Sequence, residues 1–213
     1  MEAVKRFIPG KTGRNTVTAV FLLVIFFLIN RVDVSNCVVA LVAVAFTWLF
    51  LLTLRSRSKV AQIIFGIVWL LFLPNAAYLF TDAGHVVYQW EYVVPASGHT
   101  LLIAQYILLE LFAVPTFIFS FYPFEIITDR VRIFRERKIL WLIVFNLVVG
   151  FGIVLGRFEH INSNVIFTDP LHLLILIASI FASAYLLGLV ILFGMLCAAI
   201  YFLFRRLAIR VIG

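Results

Sequence analysis

Charge is scarce in this chain. Asp, Glu, Lys and Arg make up 13% of its residues, apolar types make up 64%, and the mean hydropathy is +1.14. Soluble domains carry about a quarter charged and roughly half apolar residues, so a water-soluble fold is excluded. Cysteine is nearly absent: Cys37 and Cys197 both lie in or at the edge of apolar runs. That placement argues against a disulfide framework, and a C-x-x-C redox motif is missing. Also missing are the H-E-x-x-H of a zincin, the G-x-S-G of a rhomboid protease and the Glu-Glu pair of membrane prenyl-protease relatives. There are no mid-helix histidine pairs for haem. No ten-residue alternation of apolar and polar residues occurs, which disfavours a membrane barrel.

What the chain does have is apolar runs, six of them, at about 16–30, 37–54, 60–80, 100–122, 139–156 and 171–204. They are continuous and rich in Leu, Ile, Phe and Ala, so the expected fold is all-α, a polytopic integral membrane protein. A single six-helix membrane domain would fill residues 1–213. The first run follows Lys5, Arg6, Lys11 and Arg14 and could be a signal peptide, but no small-residue cleavage site follows it, and it is expected to remain as a span. In the third run Pro74-Asn75 predicts a kink or break near the outer end. In the fifth, Gly152 and Gly156 share a face on which a second helix can approach closely. The last run would be about 51 Å long as one helix, against a hydrocarbon core of about 30 Å, so it must tilt, overhang or begin along the interface.

The chain's 17 Lys and Arg residues set its orientation. All but Arg31 and Arg157 fall before the first run, between the second and third, between the fourth and fifth, or after the last. Cationic loops stay cytoplasmic, so both termini are expected inside, in a multi-pass protein of the cell membrane. The net charge of +7 is thereby spread over membrane-flanking loops, which points to anionic lipid headgroups rather than nucleic acid. The connection Val86 to His99 carries Tyr88, Trp90 and Tyr92 and is expected to lie on the outer surface.

With this topology all four histidines fall outside, together with Asp82, Glu91, Arg157, Glu159 and Asp169. A hexapeptide is echoed there: FTDAGH at Phe80–His85 and FTDPLH at Phe167–His172. Each copy places Asp and His three apart, within reach of one ion or ligand if helical. Asp82, His85, Asp169 and His172 are therefore weak candidates for a divalent cation. The alternative is capping: Asp169 before Pro170 suits a helix start, and Thr81-Asp82 with Gly84 suits a helix end. Glu110 is a separate case, a carboxyl near the middle of the fourth run with Gln105 and Pro115 about a turn away and Asn146 as a candidate partner. It reads either as a protonated group joining helices or as a proton relay.

Two segments resemble a known family. LPNAAYLFTDAGH, Leu73 to His85, and GFGIVLGRFEHINSNVIFTDP, Gly150 to Pro170, are similar to the bacterial membrane proteins grouped as domain of unknown function 1361. The shared features are Leu73-Pro74-Asn75-Ala76, Tyr78, Thr81-Asp82 and His85, then Gly152, Gly156-Arg157-Phe158, Asn162-Ser163 and Pro170. The chain departs in having Ala77 where the family usually has proline, and Asn164 where it has an aromatic. The resemblance implies a multi-pass membrane protein and brings no established activity.

The expected function is an outer-face site formed by Asn75, Asp82, His85, Arg157, Asn162, Asp169 and His172. Arg157 would hold an anionic group, and Asp82 with His85 would bind a cation or move a proton, with catalysis open. The alternatives are a transporter using these residues as its vestibule and Glu110 as coupling group, and a structural or accessory subunit.

Overall fold

A computed structural model describes residues 34–54, 56, 58–93, 96–158 and 168–212. Its elements are α1 (Val34–Thr53), α2 (Lys59–Asp82), α3 (His85–Trp90), α4 (Ala96–Arg130), α5 (Arg132–Glu136), α6 (Lys138–Phe158), α7 (Pro170–Ala182) and α8 (Ala184–Ile212). Among the described residues five segments are long and apolar enough to cross a membrane: Asn36–Thr53, Lys59–Trp90, Gly98–Arg130, Lys138–Arg157 and Ala184–Arg206. The protein is thus an all-α, multi-pass membrane protein. Helices suit this sequence because each satisfies its own backbone where no water is available. Buried hydroxyls follow the same rule: Thr47 donates to the Ala43 carbonyl and Thr116 to that of Phe112, both at 2.7 Å.

The first apolar run lies outside the described residues, and the five spans found among those residues correspond to the other five expected runs. The last run is two helices, because Ser183 adopts an extended conformation (φ −103°, ψ 112°) and its Oγ accepts the Leu186 amide at 3.3 Å, acting as cap for α8. At 13 residues, α7 is about 20 Å long and too short to cross alone. Pro74 does not break α2, which runs through it as one helix. Asp82 is the last residue of α2, as the capping reading expected, and Gly84 lies in the turn that follows with a right-handed backbone (φ −62°, ψ −25°), so that α2 leads almost directly into α3.

Helix α6 is central. It runs parallel to α2, with Pro74 seated on Gly152 and the Tyr78 ring on Gly156, a constant offset along both chains. The two glycines thus form a notch for a proline ring and a phenol rather than for a bare backbone. Against α8 the packing is antiparallel and closer: a Cβ at Gly150 would lie 2.5 Å from the backbone of both Gly194 and Val190. On the other side α1 and α2 form a hairpin, closed by the Gln62 amide donating to the Thr53 and Ser56 carbonyls. Phe46 meets Phe72, and Phe50 stacks on Trp69 at 5.0 Å. The core is aromatic along α4, where Phe112, Phe117 and Phe121 are fully buried, and Trp69 Nε1 donates to the Ser120 carbonyl at 2.8 Å. Ile63, Ile64, Ile67, Ile107 and Leu111 are exposed, as lipid-facing residues are expected to be.

Candidate functional site

Helical spacing collects the site. Pro74, Tyr78, Thr81 and His85 advance by four, three and four residues, so α2 and the start of α3 present one stripe toward α6. Arg157 closes it from the last turn of α6, where a cation also suits the helix dipole. Its guanidinium carbon lies 5.7 Å from the centre of the Tyr78 ring, within cation–π range. Nη1 donates to Thr81 Oγ1, and Nη2 faces His85 Nε2 at 3.3 Å. The Thr81 hydroxyl donates in turn to the Tyr78 carbonyl, leaving its lone pairs for the guanidinium. A guanidinium cannot accept, so a hydrogen bond between them needs His85 Nε2 as the acceptor, the tautomer that carries its proton on Nδ1. Gly156 makes this possible: its missing side chain admits the Tyr78 ring, over which the next residue, Arg157, lies.

The structure brings together only part of the expected set. His85 and Arg157 meet, both half-buried, and Asn75 is half-buried beside Pro74 at the base of the same stripe. Asp82 ends α2. Its side chain and the whole of Asn162 lie outside what is described. In the second copy of the hexapeptide, Asp169 Oδ1 accepts the His172 amide at 3.0 Å, Pro170 opens α7, and both Asp169 and His172 are exposed. That is the capping arrangement. Among the described residues, which leave out the Asp82 side chain, no three His, Cys, Asp or Glu side chains gather in a way that could hold a metal ion. Glu110 is half-buried in α4; Asn146, wholly buried, gives its amide proton to the Leu142 carbonyl of its own helix at 2.7 Å.

Sequence reasoning left Tyr78 and Thr81 out of the site, although the four-three-four spacing within LPNAAYLFTDAGH carried the signal. It also missed a polar cluster at the opposite, basic end of the helices. Glu125 of α4, its side chain 12% exposed, faces Lys138 Nζ at 3.0 Å and Arg205 Nη1 at 3.3 Å, and it accepts the hydroxyl of fully buried Tyr201. Lys138 also contacts Asp129 at 2.8 Å. Lys138 and Arg205, expected to face lipid headgroups, are instead paired across α4, α6 and α8. Residues Arg130, Arg132, Arg135 and Arg137 are exposed.

Residues 35–200 match a protein family described as "Protein of unknown function (DUF1361)". No curated protein and no solved structure matches the chain.

Proposed function

We propose, since the chain belongs to the DUF1361 family of proteins of unknown function, that its Arg157 end is a receptor for a small anionic group. The observation that carries this reading is the fixed orientation of the Arg157 guanidinium, held against Tyr78, Thr81 and His85. Arginine so placed presents a planar fork suited to carboxylate or phosphate. Asn75, Asp82 and Asn162, by their positions in the same two segments, complete the proposed site. Asp169 and His172 serve α7 as its start.

The lopsided distribution of cations supports an orientation with the basic end cytoplasmic and the Arg157 end outside. Exposed Arg130, Arg132, Arg135 and Arg137 would then meet anionic headgroups on the inner leaflet.

The test is thermal unfolding of the purified protein in detergent, with inorganic phosphate or a short-chain phosphatidic acid as probe. Wild type should be stabilised by at least one of them and Arg157→Gln by neither, with His85→Gln intermediate. A rise with the lipid alone assigns the anion to a headgroup. Equal shifts in wild type and Arg157→Gln, or none in wild type, would overturn the reading.

A further inference from the structure

The cluster at the basic end is built from groups that water could also satisfy. Glu125 takes donors from two other helices, Lys138 at the start of α6 and Tyr201 and Arg205 near the end of α8. With Asp129 on the same face of α4, two carboxylates meet two cations. If adhesion were all that was required, apolar residues of similar volume would serve as well, because desolvation cancels much of the attraction in a buried ion pair. The side chains of Lys138 and Arg205 are 28% and 27% exposed, so their charged heads already reach the boundary.

The remainder of the α6–α8 contact is of another kind. Gly150 and Gly194 meet backbone to backbone, and Val154 packs with Val190 of α8 and with Ile180 of α7. Water cannot replace those contacts. Helix α8 therefore has one length seated backbone to backbone on α6 and another, from Cys197 onward, that meets α4 through the Tyr201 ring on Phe121 and, at its edge, through exchangeable polar bonds.

We infer that Glu125, Lys138, Tyr201 and Arg205 form a clasp. When it opens, the basic end of α8 parts from α4 about the Gly150–Gly194 contact, and water takes the place of the lost partners. This stands independently of the anion site.

The chain carries its own reporters. Cys197 is buried on α8 one turn before Tyr201, and Cys37 is buried near the start of α1, toward the opposite end of the bundle. The rate of labelling by a fluorogenic maleimide is measured for each thiol in Cys37→Ala and Cys197→Ala backgrounds, in detergent micelles. Glu125→Gln and Tyr201→Phe should raise the rate at Cys197 about tenfold or more, as expected for loss of a hydrogen bond to a charged group, and leave Cys37 unchanged. Should Glu125→Gln not fold, Arg205→Gln keeps Lys138 and Tyr201 on the carboxylate and carries the same expectation. Equal acceleration at both thiols would mean general loosening, and no acceleration at Cys197 would mean a passive seal. Either result overturns the clasp.

Discussion

Adding one methyl group at Gly150 sets two measurable effects against each other. The new Cβ would lie 2.5 Å from the Gly194 amide nitrogen and 2.5 Å from the Val190 carbonyl oxygen. Ordinary contact needs about 3.5 Å, so α6 and α8 must separate by about 1 Å, a gap that forfeits up to roughly half of each dispersion contact along the seam. Both obstructing atoms belong to backbone and cannot rotate aside, and overpacking of this kind costs about 1–3 kcal/mol. Against it stands the better helix propensity of alanine, about 1 kcal/mol. Gly188 on α8 isolates that second effect, because it is exposed and a Cβ there would meet nothing within 4 Å. Gly188→Ala should therefore equal or exceed wild type in stability, by up to about 1 kcal/mol. Gly150→Ala should fall below Gly188→Ala by about 1–3 kcal/mol. Reversible unfolding in mixed micelles of rising SDS content, followed by helical circular dichroism, measures both. If the two variants prove equally stable, the close α6–α8 approach is wrong.

Trp69→Phe keeps the ring stack on Phe50 but removes the donor to the Ser120 carbonyl; it should cost about 1 kcal/mol in the same unfolding assay. Asp169→Ala removes the cap of α7 and should cost about 1 kcal/mol of local stability, read by hydrogen exchange of the first α7 amides, while the phosphate response persists. Loss of that response would put Asp169 in the anion site after all. For orientation, Tyr92→Cys and Ser56→Cys, both at exposed positions, are compared in a background lacking Cys37 and Cys197. An impermeant thiol reagent on intact cells should label the first and spare the second; the reverse would invert the topology.

How legible each feature was depends on the distance over which its cause acts. The second to fifth runs were readable because a continuous apolar stretch determines its own helix. The break at Ser183 was not, since one serine in an apolar stretch looks like any small residue until its hydroxyl is seen taking the Leu186 amide. Gly152 and Gly156 advertise a notch by their spacing of four. Gly150 gains its meaning only from Gly194, far along the chain and on an antiparallel neighbour. Counting loop charges placed His85 and Arg157 on one side, and their contact followed. The same counting treated Lys138 and Arg205 as two more loop cations, because nothing local shows that antiparallel packing will carry both to Glu125.

The narrow seam between α6 and α8 also governs which mutations this lineage can accumulate. At positions 150 and 194 any side chain meets the backbone of the facing helix, whereas Leu140, Val148, Ile191 and Leu192 on the same two helices are exposed and need only remain apolar. Neutral drift should thus run at two speeds along each helix, faster on the lipid-facing stripe than on the seam. Two descendants could differ at every lipid-facing position of α6 and α8 and still assemble the same helix pair.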